Sequence, residues 1–518
     1  MKSDNIKYPP IIQPTVYATT LEEQREQLKT DGLMRQFADS RQQLSADRYR
    51  PIYHFVNPEG NLNDPNGLCY WQGHYHLFYQ AYPPVDPRQH WGHAISTDLV
   101  RWRDLPLAIY PGIEDKCFSG STLVEEDRVI VFYHGTSAGN MVAISEDPLL
   151  LNWEKIPGNP VIPMMTADKK GYPYRVYDPC IWKEKDGYYA LSGSYWQGPI
   201  FDNCRMVQHL FFSQDLTRWI YLGPFIENDV FTLPGEDGAV PYFWPIGNKH
   251  ILIFSSHQRG AQYLIGDYDQ IHHRFKPFEH GRFNFGAINP GGVHAPSATP
   301  DGQGGVYVIY NINQGRPTGG WNHIMSLVRR LTLGKDDQLN IEPVRAVESL
   351  RTQHISIGTT HIPANQEITL EGINGNAMEL DIEIDPRSAR EICLHVLRSP
   401  NSEEYTAIKF YRGGLMQRNR KGQQYTEDSL VLDTSRSSLL TDVAARPPEI
   451  APLHLPESEA LKLRVFIDRS VVEVFANDRL CVALRVYPSL EESLGVSIHT
   501  QGADATLRSL DAWQMAAI

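Results

Sequence analysis

Few of the usual marks of export, metal capture or nucleic-acid binding occur in this chain of 518 residues. Its six cysteines, at 69, 117, 180, 204, 393 and 481, form no CxxC or Cys/His metal spacing. That leaves no disulfide framework or zinc site to read, and reduced thiols are the default. No Asn-x-Ser/Thr glycosylation acceptor occurs anywhere, which disfavours a glycosylated secretory origin. No apolar run approaches the roughly 20 residues of a membrane-spanning helix. The opening MKSDNIKYPP has no signal-peptide core. No block of Lys and Arg stands out, and 48 basic against 61 acidic residues give a net charge of −13. Nucleic acid and anionic membranes are poor partners for such a surface. These absences predict a cytoplasmic protein, although a chain whose leader had been removed would read the same way.

What is present suits a globular protein with real cores. Hydrophobic residues make up 41% and charged residues 21%, so wholesale disorder is excluded. The length predicts two or three domains. Aromatics reach 11%; they favour strands, and their rings also stack on sugar faces. Residues 1–50 differ from the rest. Thr20-Leu21-Glu22-Glu23 reads as a capping box opening a helix, and charged helical sequence runs on to about Asp47, broken near Gly32. This extension is expected to pack on the body or on a second subunit, and a homo-oligomer stays open.

From residue 54 the texture becomes short strands and turns, and a repeat appears. Five segments share a turn followed by an aromatic or β-branched strand: 73–80, 127–134, 187–194, 248–255 and 305–312. Their starts are about 57 residues apart, the size of a four-stranded blade with its loops. Five such units predict a five-bladed β-propeller over 51–345. Residues 346–366 read as a linker with a strand or two. From 367 to 518 alternating strands, among them Leu461–Asp468 and Val471–Asn477 joined at Arg469-Ser470, predict a β-sandwich. The fold class is therefore all-β, a five-bladed propeller and a C-terminal sandwich with a short helical N-terminal extension.

The segment before each repeated strand is then the innermost strand of its blade. These five carry Asn63-Asp-Pro-Asn-Gly67, Phe118-Ser-Gly-Ser121, Tyr177-Asp-Pro-Cys180, Gly235-Glu-Asp-Gly238 and His294-Ala-Pro-Ser297. Their starts meet at one mouth of the axial funnel, which brings together Asp64, Asp178 and Glu236. Two carboxylates facing one sugar are what glycoside cleavage needs. A hard-metal site and simple turn capping, as by Asp64 in Asp-Pro-Asn-Gly, are the other uses of such acids.

In its motifs the chain resembles glycoside hydrolase family 32, the invertase, inulinase and levanase family. The resemblance rests on Asn61-Leu-Asn-Asp-Pro-Asn-Gly67, on His90-Trp-Gly-His-Ala-Ile-Ser96 with Asp98, Leu99 and Trp102, on Phe118-Ser-Gly-Ser121, and on Val465-Phe-Ile-Asp-Arg-Ser-Val-Val-Glu-Val-Phe475. It covers roughly 51–517. It implies a retaining double displacement on a terminal β-D-fructofuranosyl unit, with Asp64 as nucleophile and Glu236 as acid and then base. Asp178 would hold the fructose 3- and 4-hydroxyls, and Asn63, Gln80, Trp91, Phe118 and Ser119 would contact the fructosyl unit. Trp91 can equally be core packing and Gln80 an ordinary strand residue. No metal or organic cofactor is implied, and the partner is a small carbohydrate.

Three positions depart from the family. Tyr177 stands where Arg is usual before the Asp-Pro, Asp237 where Cys is usual after the glutamate, and Tyr82 where Asn is common. Asp237 puts a like charge beside Glu236 and raises its pKa if both face the pocket. Arg175 could supply the guanidinium missing at 177 if its side chain reaches the same face. The reading is an exo-acting β-fructosidase on sucrose or short fructooligosaccharides. Its rivals are a fructosyltransferase, a hydrolase of an atypical furanoside, and a catalytically weak fructan-binding protein.

Overall fold

The computed structural model describes residues 11–164, 176–195, 206–418 and 424–518. Arg175 and Cys204 lie outside these residues. Helix α1 (Leu21–Thr30) begins as the capping box predicts. The Thr20 hydroxyl accepts from the Glu23 N–H at 3.4 Å and donates to Glu23 Oε2 at 2.5 Å. Asp31 is extended and stops α1; its carboxylate accepts from the Met34 N–H at 3.0 Å and so starts α2 (Gly32–Leu44). The extension docks on the body of the same chain. Gln24 donates to Asp147 at 2.7 Å, Arg41 forks onto Asp104, and Phe37 is buried.

Five antiparallel sheets follow among the described residues. They open with Asn61–Trp71, Cys117–Val124, Pro179–Glu184, Ala239–Ile246 and Val293–Pro300. The repeated aromatic or β-branched segments form the second strands, His74–Tyr82, Val129–Gly135, Gly187–Tyr195, Lys249–Ser256 and Val306–Ile312. Leu77, Val131, Leu191, Ile253 and Ile309 are buried there. Each opening strand touches the opening strands of the sheets before and after it, and the fifth touches the first. A closed ring of inner strands thus gathers the five starts around one centre.

The segments Ser96-Thr-Asp-Leu-Val-Arg-Trp102 and Ser213-Gln-Asp-Leu-Thr-Arg-Trp219 share a pattern, and both form the same turn. Asp98 accepts from the N–H groups of Val100 and Arg101, and Asp215 from those of Thr217 and Arg218. The leucine after each, Leu99 and Leu216, takes positive φ, 65° and 69°. An aspartate that bonds the backbone ahead of it makes this turn affordable for a non-glycine residue.

The C-terminal part packs two sheets, one of seven strands and one of six, over a continuous aliphatic core that includes Leu380, Leu394, Val465 and Val474. The expected linker 346–366 differs from its reading. Arg351–Ile357 and Thr360–Ile362 both pair with the last strand, Ala505–Met515, and belong to the seven-stranded sheet. Arg351–Ile357 is an exposed edge strand, so it lacks the apolar alternation that would have announced it. The Leu461–Asp468 and Val471–Ala476 hairpin turns at Arg469, φ 53°.

The hairpin's acids hold the two parts together. Asp468 accepts from the N–H groups of Ile52, Tyr53 and His54 and from the His54 ring at 2.8 to 2.9 Å. Glu473 takes the other His54 nitrogen at 3.1 Å, the Leu327 N–H at 2.7 Å and Arg329 at 3.1 Å. All four side chains are fully buried. No helix among the described residues is long and apolar enough to cross a membrane.

Candidate active site

The three acids singled out in the sequence all lie at the start of inner strands, and each is buried. Asp64 is fixed through one oxygen. Its Oδ2 accepts from Ser119 Oγ at 2.7 Å and from Gln80 Nε2 at 3.3 Å. Gln80 Nε2 also donates to Ser119, and its Oε1 accepts from Asn63 at 3.2 Å. Asn63 in turn accepts from Asn311. Asp64 Oδ1 is left without a hydrogen bond among the described residues; His294 Nδ1 lies 3.8 Å from it. A carboxylate held by one oxygen and bare at the other can attack through the bare one.

Glu236 is placed by a tight turn. Gly235 and Gly238 take φ of +90° and +63°, and a Cβ would come within 2.5 Å of Gln258 at the first and 2.3 Å of Met206 at the second. Only glycine fits both demands. Glu236 Oε2 accepts from the Leu233 N–H at 2.8 Å, and Oε1 accepts from Gln262 at 2.7 Å with Arg259 at 3.8 Å. Asp178 ties the third and fourth sheets together, since its Oδ2 accepts from the Val240 N–H at 3.3 Å. Its Oδ1 has no partner among the described residues. Burial, and then the Asp64 charge, push the Asp178 carboxyl well above the usual carboxylate range.

Asp237 does not press its charge on Glu236 unopposed, as the sequence suggested. It turns to His257, accepting the backbone N–H at 3.0 Å and pairing with ring Nδ1. That pairing raises the His257 pKa to about 9. His257 stands edge-on to His294, with ring centroids 5.5 Å apart. Burial lowers the His294 pKa and keeps that ring neutral.

Tyr177 is half-buried. Its backbone N–H donates to Ser192 Oγ at 2.8 Å and its carbonyl accepts from the same hydroxyl at 2.9 Å; its ring lies 5.5 Å from that of His134. The Phe118 ring lies 6.1 Å from the same His134 ring. Trp91 is corrected to the packing role. It is fully buried beside Phe78 and Tyr133, and its indole donates to the Phe118 carbonyl at 2.9 Å. It positions that strand and has no face left for a sugar. Tyr82 accepts from Gln89 at 2.6 Å and borders the Asp64 network. Arg175 lies outside the described residues. Sequence reasoning passed over His257, Arg259 and Gln262, which come from beyond the inner strands. His294 had a signal, since it occupies the acids' register in the fifth inner segment.

Two family models match nearly the whole chain. The glycosyl hydrolases family 32 N-terminal domain covers residues 54–343 and the family 32 C-terminal domain covers 346–514. The chain belongs to glycosyl hydrolase family 32. This family 32 enzyme is 30% identical over 514 residues to a levanase of Bacillus subtilis, covering 89% of this chain and 70% of that relative. It is 28% identical over 507 residues to a sucrose-6-phosphate hydrolase of Escherichia coli, covering 90% and 95%. Among solved structures it superposes on fructan 1-exohydrolase IIa of Cichorium intybus with a TM-score of 0.78 at 23% identity, covering 91% of this chain and 98% of that one. A sucrose-6-phosphate hydrolase of Lactobacillus gasseri gives 0.73 at 22%, covering 96% and 99%. These structural likenesses concern the fold, an all-β propeller followed by a sandwich.

Proposed function

We propose that this family 32 glycoside hydrolase is a retaining, exo-acting β-fructofuranosidase for sucrose or fructooligosaccharides, and that its five sheets are the blades of one five-bladed propeller spanning 51–345. The observation that carries the reading is Asp64, clamped at Oδ2 by Ser119 and Gln80 and bare at Oδ1. Relatives named for levan and fructan hydrolysis support it, the levanase above and a fructan 6-exohydrolase of Beta vulgaris at 27% identity.

In the first step Asp64 Oδ1 attacks the anomeric C2 while the bond from C2 to the leaving oxygen breaks, and Glu236 gives that oxygen its proton. In the second a water oxygen attacks C2 from the vacated side, Glu236 takes its proton, and the C2–Oδ1 ester bond breaks. Two inversions give retention. Asp178 holds one fructose hydroxyl through its unpaired Oδ1. Phe118 and Tyr177, both half-buried, offer an apolar edge for a sugar face.

A panel of sucrose, inulin, levan and 1-kestose, assayed for free fructose, tests this reading. Release of fructose from at least one substrate is expected, and none from Asp64→Asn. Binding without turnover by the unaltered enzyme, or transfer products exceeding free fructose at low sucrose, would contradict it.

A further inference from the structure

We infer that Cys393, His395 and His499 bind a zinc ion on the C-terminal sandwich, at a site separate from the funnel and independent of the fructosidase reading.

The sheet brings the three together. Ile392, Leu394 and Val396 of the strand Glu391–Arg398 belong to the aliphatic core, so Glu391, Cys393 and His395 lie on the opposite face. The neighbouring strand Gly495–Gln501 repeats the pattern. Val496 and Ile498 are in the core, and His499 stands directly across from Cys393. Two positions apart on one strand and one position opposite on the next make a triangle of side chains on one face. One ligand atom from each, the Cys393 sulfur and a nitrogen of each ring, lie within 4.8 Å of one another. The edges of a tetrahedron around zinc are about 3.4–3.6 Å long, so small side-chain rotations bring all three onto one ion. Sequence spacing hides the set, because His499 comes from the far end of the sandwich.

The surroundings suit a held ligand set. His395 Nδ1 is bonded to Glu367 at 3.1 Å, and His499 Nε2 lies 3.3 Å from Glu391. Each ring thus has a carboxylate on one nitrogen and offers the other, the arrangement that fixes the tautomer and orientation of a metal-ligating histidine. Tyr405 stacks on the His395 ring, with centroids 4.0 Å apart, and limits its swing. The neighbouring cations are paired elsewhere: Arg398 donates to Glu367 at 2.9 Å and Lys409 to Asp433 at 3.2 Å. Cys393 is fully buried, while the His499 side chain is 27% exposed. An ion can therefore enter past His499 and reach a sulfur shielded from water.

One thiolate and two imidazoles form a borderline-soft set that selects Zn2+ over Mg2+ or Ca2+. Three protein ligands leave a fourth position for water. On binding, the Cys393 thiol loses its proton to solvent and its sulfur gives an electron pair to the ion. An ion that bridges the two strands only in the folded state stabilises the sandwich by mass action.

The other reading of the same residues is a thiol packed beside two histidines that binds nothing. Co2+, a spectroscopic stand-in for Zn2+, separates the two. In enzyme dialysed against a chelator, Co2+ should bind at one ion per chain with a thiolate-to-metal charge-transfer band, and Zn2+ should bleach that band. Cys393→Ser should lose it. His499→Gln, a change at the exposed ligand, should weaken Co2+ binding by about tenfold or more. Zn2+ should raise the melting temperature of the unaltered enzyme and of neither variant. No thiolate band in the unaltered enzyme, a band that survives Cys393→Ser, an affinity indifferent to His499→Gln, or a Zn2+ melting shift equal in all three proteins would overturn the proposal. The first of these needs no variant, so misfolding of either variant leaves the test intact. Fructose release is not part of the readout, and its failure would touch only the proposed function.

Discussion

Two buried clusters in this molecule use the same residue types to opposite ends. At the junction between propeller and sandwich, Asp468 and Glu473 enclose His54 and Arg329, and each carboxylate is saturated with donors. In the funnel, Asp64 and Asp178 each keep one buried oxygen bare, and His294 Nδ1 has no hydrogen bond. Burying a polar group without a partner costs about 1–3 kcal/mol, a cost the two funnel carboxylates carry and the two junction carboxylates do not. We read the junction as a clasp and the funnel as the proposed reaction site. The free oxygens of Asp64 and Asp178, against the fully bonded Asp468 and Glu473, are what distinguish them.

The largest effect that would sharpen this contrast comes from the funnel. Asp64→Asn should lower turnover by about 10⁴-fold or more with no loss of melting temperature, since an amide cannot attack C2 but still accepts from Ser119. Near-normal activity would remove Asp64 from the mechanism. Glu236→Gln should be nearly as damaging on sucrose, and much less so on a fructoside whose leaving group needs no proton. Equal losses on both substrates would argue against general-acid catalysis.

The clasp should respond in stability and not in chemistry. Glu473→Gln leaves His54 and Arg329 facing a neutral group in a fully buried site, which should cost about 3–5 kcal/mol, read as a lower denaturant midpoint with kcat retained at 25 °C. A loss of kcat without a loss of stability would break the comparison. The clasp also predicts a pH window. Burial alone would lower the His54 pKa, but its bonds to Asp468 and Glu473 outweigh burial and raise it to about 9. A raised pKa stabilises the fold fully below the unfolded value near 6.5. That contribution fades as pH climbs through about 9, when the ring loses its proton between two acids. Stability should therefore fall from pH 6.5 to 9.5, by about 3 kcal/mol, and the slope should flatten in Glu473→Gln.

The smallest effect concerns Tyr177. Tyr177→Arg should raise kcat/KM on sucrose no more than about tenfold, because a guanidinium beside Asp178 forks onto two hydroxyls. A fall on every fructoside would mean that position 177 faces a different substrate.

Much of this was legible in the sequence, for identifiable reasons. The five inner segments repeat at a fixed spacing, so Asp64, Asp178 and Glu236 could be brought together without coordinates. The capping box at Thr20 needs only local neighbours, and it forms as read. What failed depended on distant partners. His257 and Gln262 lie outside the inner strands, and nothing local says that either turns toward Glu236-Asp237. The Asp468-Arg-Ser470 hairpin was legible as a turn, but its purpose requires His54, more than 400 residues away. Trp91 misled because an aromatic beside glycine in a strand serves packing and sugar stacking alike. A strand or two was expected in 346–366, but exposure of Arg351–Ile357 erases the alternation that would have assigned it to the sandwich.

Trapping the covalent intermediate tests the central claim most directly. Glu236→Gln turning over an activated fructoside should accumulate the fructosyl-enzyme, because the second step lacks its base. Acid quenching, digestion and peptide mass spectrometry should find one fructosyl group on Asp64, with the slowly released sugar first appearing as the β-furanose. A fructosyl group on any other residue, or α-furanose as the first product with no labelled peptide, would contradict the account.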